Sequence, residues 1–227
     1  MLSSRVFFAL AIFSLAIAAA PAAEPAKPKQ DPSLVEVPDE PGLPRVLLIG
    51  DSVSMGYTLP TRALLKGKAN VHRPAGNCSS TGNGLHNLKT WLGDKKWDVI
   101  HFNFGLHDAK QLPEGVRHAD LDVYEKNLRE IVKRLKATGA KLIWATTTPV
   151  PNGGILAPDR RFDSVDKYNA VARKVMEENH VVIDDLNTAV TPHLEKMQRP
   201  MDVHYTPEGS EFLAKLVAAS IERQLEK

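Results

Sequence analysis

Residues 45–57 read RVLLIGDSVSMGY, an apolar run that stops at Gly50-Asp51 and passes into small polar residues. Such a run is typical of a buried strand, and glycine followed by small polar residues indicates a tight passage into a helix. Ser52 is the first residue after this strand that carries a nucleophilic oxygen. In α/β folds, ligands and catalytic groups gather at the C-terminal edge of the sheet. The sequence therefore predicts a candidate nucleophile at that edge.

Strand-like and helix-like segments alternate along the rest of the chain. The apolar side chains of residues 124–139 recur with the spacing of one helix face. Thr206 and Pro207 are typical of the N-cap and the first position of a final helix. The alternation predicts parallel strands covered by helices on both faces, a three-layer α/β/α sandwich with a mostly parallel sheet of about five strands. We expect these strands within residues 46–50, 70–73, 97–105, 141–150 and 180–186.

The N-terminus has the pattern of a secretory signal peptide over residues 1–22. A short positive region precedes an apolar run over residues 6–20, and Ala20-Pro21-Ala22 offers a small-x-small cleavage site. The run is short for a membrane span of about 20 residues, although an uncleaved anchor is the alternative. We therefore expect a secreted or periplasmic protein with no stable membrane insertion after cleavage.

Residues 23–44 are rich in proline and charge and have no apolar periodicity. This composition predicts a flexible, extended linker, so the catalytic domain is expected over residues 45–227. Within that domain, residues 106–122 and 151–163 follow strand ends and contain proline, glycine and charge without periodicity. They are candidate walls of a cleft.

Composition excludes several classes of function. The 29 basic and 27 acidic residues nearly balance and aromatic residues make up 6%, so we expect no nucleic-acid partner. The single cysteine, Cys78, allows no intrachain disulfide and is expected to be a buried apolar residue. No metal-binding motif is present, and residues 75–84 lack the spacing of a phosphate- or dinucleotide-binding loop. The sequence therefore predicts no metal and no cofactor.

A serine hydroxyl needs a base to become a nucleophile, and histidine is the usual one. His204 lies in DVHYTPEG, residues 202–209, two residues after Asp202. Residues i and i+2 of an extended segment point to the same side, so the carboxylate of Asp202 can reach the ring. We therefore expect Ser52, His204 and Asp202 to act together, although a helix cap and a surface histidine would explain the first two singly.

The order of these segments over residues 45–227 resembles that of the SGNH hydrolases, the GDSL-type esterases and lipases. GDSVSMG, residues 50–56, is similar to the first block of the family, and DVHYTPEG is similar to the last. The resemblance implies the flavodoxin-like SGNH fold. It also implies that Ser52 is the nucleophile, that its backbone N–H is an oxyanion donor, and that His204 is the base.

The second block of the family contains a glycine whose amide is another oxyanion donor. NCSSTGNGL, residues 77–85, stands at this place, and the simplest alignment puts Cys78 on the glycine, with Gly76 one short slip away. The resemblance therefore implies that an amide of this loop, that of Cys78 in the simplest alignment, contributes to the oxyanion hole.

Two positions depart from the family pattern. The third block is usually G-x-N-D, but here His107 replaces the asparagine; a neutral imidazole can also donate an N–H, and Asn77 is an alternative amide. The acid usually lies three residues before the histidine, where this chain has Met201. Either Asp202 serves with altered geometry, or a Ser-His dyad acts with help from a backbone carbonyl.

The sequence thus predicts an exported serine esterase that removes a short acyl group, acetyl in particular, from a small-molecule or carbohydrate ester. The family resemblance supports ester hydrolysis well, whereas it supports a carbohydrate substrate only weakly. A lipase or thioesterase that acts on longer acyl groups is one alternative. A non-catalytic carbohydrate-binding relative of the fold is the other, and the two departures from the family pattern motivate it.

Overall fold

The computed structural model describes residues 30–111, 119–156 and 160–226. The predicted signal peptide, residues 1–22, and the first part of the predicted linker, residues 23–29, lie outside the described residues.

A five-stranded parallel sheet forms the centre of the domain and confirms the predicted α/β fold. Its strands lie in the spatial order β2-β1-β3-β5-β8, and each neighbouring pair is parallel. The chain extends the sheet to one side of β1 and then crosses to the other, so β1 and β3 flank the point where the strand order reverses. Open α/β sheets bind ligands at such a point. The bounds are β1 Arg45–Ile49, β2 Asn70–His72, β3 Val99–Phe102, β5 Lys141–Ala145 and β8 Val182–Asp184.

Helices cover both faces of this sheet. Val46 and Leu48 of β1 pack with α1 and α8, while Leu47 and Ile49 pack with α2, α4 and α5 on the opposite face. All four side chains are buried, which explains why β1 is apolar throughout rather than alternating. The helices are α1 Ser52–Leu64, α2 Thr81–Leu92, α3 Leu106–Ala109, α4 Leu121–Lys136, α5 Val165–Glu178, α6 Leu186–Val190, α7 Leu194–Met197 and α8 Pro207–Leu225.

The two predicted cleft walls pair with each other. Strand β4, Lys110–Gln111, runs antiparallel to β7, Arg160–Phe162, and β7 runs antiparallel to β6, Ile155–Leu156. This small antiparallel sheet follows the C-terminal ends of β3 and β5. It therefore places residues of the second wall beside the edge where Ser52 lies.

Residues 30–44, which we name the N-terminal strap, are packed against the domain rather than extended away from it. The strap contains a 3-10 helix, Pro32–Leu34, that contacts α1. Further along, Asn70 of β2 holds the backbone of Glu40 in both directions, accepting from its N–H at 2.8 Å and donating to its carbonyl at 3.0 Å. The prediction of a flexible linker therefore does not describe this part of the chain.

Two negative findings apply to the described residues. None of the helices in residues 30–111, 119–156 and 160–226 is long and apolar enough to cross a membrane. The same ranges contain no group of three or more histidine, cysteine, aspartate or glutamate side chains that could hold a metal ion.

Candidate active site

The passage from β1 to α1 places Ser52 at the C-terminal edge of the sheet. Asp51 is the N-cap of α1, and its carboxylate accepts from the backbone N–H of Val53 at 2.9 Å. A side chain at Gly50 would meet Cβ of Ser54 at 2.8 Å, so the close turn requires glycine there. The hydroxyl of Ser52 is thereby presented on the first residue of the helix.

His204 lies beside Ser52 although 152 residues separate them in sequence. Nε2 of His204 is 2.8 Å from Oγ of Ser52. The turn that carries His204 is closed by backbone hydrogen bonds: the N–H of Arg199 donates to the carbonyl of His204 at 2.9 Å, and that of Thr206 donates to Met197 at 2.8 Å. Thr206 then caps α8, as predicted, so the histidine is held between a turn and a helix N-terminus.

Asp202 lies on the other side of the imidazole. Its two carboxylate oxygens are 3.0 and 3.1 Å from Nδ1 of His204, so the structure brings the three predicted catalytic residues into one chain of contacts. The N–H of Val203 also donates to this carboxylate at 2.8 Å. The residue before the acid, Met201, has φ 53° in the left-handed region, which helps to form the tight turn that a two-residue spacing demands.

Arg160 is a residue of this site that the sequence did not reveal. It lies at the start of β7, and its guanidinium donates to Oδ1 of Asp202 at 3.1 Å. Burial by itself raises the pKa of the Asp202 carboxyl, but the hydrogen bonds from His204 and Arg160 outweigh burial and lower the pKa below its usual value. The acid is therefore held in its charged form by two cationic or proton-donating neighbours.

The amide of Cys78, which the resemblance makes an oxyanion donor, already has a backbone partner in the structure. Its N–H donates to the carbonyl of Gly50 at 3.2 Å, and a single N–H that is committed to the backbone is not available to an oxyanion. The thiol is fully buried, as expected, and burial raises the pKa of Cys78 to about 11. The amide of Gly76, the alternative in the sequence, forms no hydrogen bond to another described residue.

His107 contacts the segment that joins β2 to α2, the β2–α2 loop (residues 73–80), and Asp108 contacts Thr81, the first residue of α2. Nδ1 of His107 is 3.2 Å from Oγ of Ser79. Asp108 is fully buried and accepts from the N–H of Thr81 at 3.0 Å and from its hydroxyl at 2.5 Å. Burial raises the pKa of Asp108 to about 6, although the hydrogen bonds from Thr81 oppose the shift. The pair thus fixes the loop against α3.

Arg73 links the β2–α2 loop to α1, the helix that begins with Ser52. This buried guanidinium donates to the carbonyl of Gly50 at 3.1 Å and to the hydroxyls of Ser54 and Thr58 at 3.1 and 3.0 Å. It also reaches the carbonyl of Gly76 at 3.4 Å. A buried arginine is rarely predictable from sequence, because nothing in the short β2 strand shows that the side chain of the next residue turns under α1 rather than toward solvent.

A surface cleft opens beside the nucleophile and the base. Ser52 and His204 line it from one side. The N-terminal strap, the turn before His204 and α8 add four polar side chains to its lining: Asp31, Ser33, Arg199 and Ser210. Tyr205 and residues of α1 form the rest of the lining, and those of α1 are mainly apolar: Val53, Met55, Gly56 and Leu59.

Solved structures of several esterases resemble this fold. The lipase/acylhydrolase from Enterococcus faecalis is 21% identical with a TM-score of 0.68, covering 80% of this chain and 97% of that chain. The acetyl xylan esterase AlAXEase is 19% identical with a TM-score of 0.65, covering 78% and 99%. An acetylxylan esterase from Geobacillus stearothermophilus, a catalytic mutant, is 20% identical with a TM-score of 0.63, covering 80% and 93%. No curated protein sequence matches the chain.

The sequence itself matches the family model of the GDSL-like lipase/acylhydrolases over residues 48–212, which is most of the chain. The matched range begins inside β1 and ends inside α8, so it contains Ser52, the β2–α2 loop, His107 and His204. The chain therefore belongs to the GDSL-like lipase/acylhydrolase family, the SGNH hydrolases, and is a carboxylic ester hydrolase.

Proposed function

We propose that the protein is an exported serine esterase that hydrolyses short acyl esters, acetyl esters in particular, on carbohydrates. The observation that carries the catalytic part is the continuous chain of contacts from Oγ of Ser52 through both nitrogens of His204 to the carboxylate of Asp202. A serine, a base and an acid in this order can generate a nucleophile at neutral pH.

In this mechanism, Nε2 of His204 takes the proton of Ser52 while Oγ attacks the carbonyl carbon of the ester. Asp202 accepts the hydrogen bond from Nδ1–H and stabilises the imidazolium that forms. The C–O bond to the alcohol then breaks, and His204 passes its proton to the leaving oxygen. Water attacks the resulting acyl-enzyme with His204 again as base, which releases the acid and restores Ser52.

The oxyanion requires donors that are in place before the reaction. We assign this role to the amide of Ser52, with the β2–α2 loop and the ring of His107 as the second and third sources. Within the loop we favour an amide other than that of Cys78, whose N–H already donates to the carbonyl of Gly50 at 3.2 Å. The loop is a suitable source because it is held at both ends, by the contact of Arg73 with the carbonyl of Gly76 and by that of Asp108 with Thr81 at the start of α2.

Substrate preference rests on two further observations. The cleft beside Ser52 and His204 is lined by apolar side chains of α1 and by the polar Asp31 and Ser33 of the N-terminal strap, and these two suit a hydroxylated alcohol. Two of the structurally similar proteins are named as acetyl xylan esterases. Export is supported by the pattern of residues 1–22 alone.

Kinetics on a graded set of esters test the proposal. We expect wild-type protein to hydrolyse p-nitrophenyl acetate and acetylated xylosides faster than p-nitrophenyl octanoate or palmitate, and Ser52→Ala to lose turnover while its circular dichroism spectrum is retained. Full activity of Ser52→Ala would overturn the assignment of the nucleophile. Faster turnover of the long-chain esters would favour a lipase or thioesterase, and glycan binding without any turnover would favour a non-catalytic relative.

A further inference from the structure

The N-terminal strap forms part of the cleft that contains the nucleophile. Its 3-10 helix, Pro32–Leu34, lies on α1, the helix that begins with Ser52. Asp31 and Ser33 line the same cleft as Ser52 and His204. A segment whose composition is typical of a linker therefore contributes two polar side chains to the surroundings of the reacting groups.

The strap is anchored firmly enough to serve as a fixed wall. The carboxylate of Asp39 contacts three basic side chains of the domain, Arg45 at 3.1 Å, His72 at 2.7 Å and Lys95 at 3.2 Å. Burial raises the pKa of Asp39, but these hydrogen bonds outweigh burial and lower the pKa to about 2. The side chain of Asn70 adds hydrogen bonds to the backbone of Glu40 and Leu43.

Ser33 has an unusual environment for a serine. Ser33 is 2% exposed, and its hydroxyl forms no hydrogen bond to any residue in the described part of the chain. A buried hydroxyl without a partner destabilises a fold, and alanine at this position would avoid that loss. Such groups call for an explanation, and a ligand that supplies the missing partner is one that fits a residue lining the cleft.

Asp31 lines the cleft together with Ser33. It is exposed, and its Oδ1 accepts from the backbone N–H of Ser33 at 2.8 Å, which ties the two residues into one unit. A carboxylate is an acceptor that suits hydroxyl groups and repels anionic ligands, whereas the methyl group of an acetate needs no polar partner. The chemistry of the pair therefore matches the alcohol side of an ester rather than its acyl side.

We propose that Asp31 and Ser33 form a subsite for the alcohol portion of the substrate, which binds a neutral saccharide through its hydroxyl groups. This inference rests on the proposed esterase function and specifies where selectivity for a carbohydrate ester arises. The hydroxyl of Ser33 gains its missing partner when the sugar binds, and the carboxylate of Asp31 accepts from a neighbouring sugar hydroxyl.

The test compares two acetate esters that differ in the alcohol. We measure kcat/KM for an acetylated methyl xyloside and for p-nitrophenyl acetate, whose alcohol carries no additional hydroxyl. The ratio is the value for the xyloside divided by the value for p-nitrophenyl acetate. Loss of one hydrogen bond is expected to lower this ratio about fivefold in Ser33→Ala and Asp31→Asn, mainly through a higher KM for the xyloside.

Ser220→Ala is the matched control. Ser220 of α8 is also buried, and its hydroxyl also lacks a hydrogen-bond partner among the described residues, but it does not line the cleft. Both alanine variants should therefore keep or raise the melting temperature, whereas only Ser33→Ala should change the ratio.

An unchanged ratio in both Ser33→Ala and Asp31→Asn would overturn the proposed subsite. A wild-type KM for the acetylated xyloside that is no lower than the KM for p-nitrophenyl acetate would overturn it as well. Either result leaves the esterase assignment intact as long as Ser52→Ala abolishes hydrolysis of p-nitrophenyl acetate. Failure of that last control would instead refute the proposed function itself.

Discussion

Asp202 faces the imidazole of His204 with both carboxylate oxygens, at 3.0 and 3.1 Å from Nδ1, although only one residue separates the two in sequence. The shortened spacing is accommodated because the turn bends at Met201 and because the N–H of Val203 and the guanidinium of Arg160 hold the carboxylate. The departure from the family spacing therefore does not remove the acid from the histidine.

Removal of the acid should impair chemistry rather than binding. We expect Asp202→Ala to lower kcat on p-nitrophenyl acetate about a thousandfold with little change in KM, because the histidine loses its orientation and the imidazolium its counter-charge. Steady-state kinetics check this. Near-normal kcat in the variant would favour a Ser-His dyad assisted by a backbone carbonyl.

Arg160 should affect the pH dependence of the reaction. Its charge offsets part of the negative charge of Asp202, whose lowered pKa reflects hydrogen bonds from both His204 and Arg160 after the opposing effect of burial. In Arg160→Gln, the carboxylate of Asp202 loses one of the hydrogen bonds that lower its pKa, so it takes up a proton at higher pH and then orients His204 less well. We therefore expect the acid limb of the kcat/KM profile to move to higher pH, and Arg160→Lys to restore it. An unshifted profile with lower kcat at every pH would indicate that Arg160 only supports the fold.

His107 should contribute to the transition state if its ring replaces the family asparagine. We expect His107→Ala to lower kcat about a hundredfold with little change in KM, the range found when one oxyanion donor is lost. His107→Asn, which restores the family residue, should keep most of the activity. Ser79→Ala, which removes only the hydroxyl beside Nδ1, should have a smaller effect than His107→Ala. Full kcat in His107→Ala would restrict the donors to backbone amides.

Asp108 should make stability depend on pH. Burial raises its pKa in the folded protein from 3.8 to about 6, so the folded state binds this proton more tightly than the unfolded chain does. The stability that the folded protein gains from the protonated Asp108 carboxyl is thus present below pH 4 and is lost as the pH rises through 6. Relative to Asp108→Asn, the wild type should lose about 2 to 3 kcal/mol of unfolding free energy over this interval, measurable by urea denaturation. Parallel pH profiles of the two proteins would contradict this.

The sequence predicts the central architecture well because the parallel strands are buried on both faces. Residues 46–49 are apolar throughout for that reason, and the run identifies β1 and the turn to Ser52 without reference to tertiary contacts. The link from Asp202 to His204 could also be predicted, since it depends only on the direction of side chains two residues apart.

Other parts of the site depend on contacts between distant segments and could not be predicted. Arg160 reaches Asp202 because β7 pairs with β4 and β6, and neither partner is evident from residues rich in proline, glycine and charge. The N–H of Cys78 is occupied only because the β2–α2 loop approaches Gly50.

The packing of the N-terminal strap against the domain could not be predicted from the sequence either. Its proline-rich composition is typical of a linker, while its anchors join residues far apart in sequence: Asp39 contacts His72, 33 residues away, and Glu40 contacts Asn70, 30 residues away.

The proposed mechanism depends on Ser52 being a nucleophile that His204 activates. The most direct measurement is peptide mapping by mass spectrometry after reaction with a fluorophosphonate, with wild-type protein and His204→Ala compared. We expect a single adduct on the peptide that contains Ser52, formed far more slowly in His204→Ala. Modification of a different serine, or no adduct in wild-type protein that retains its fold, would contradict it.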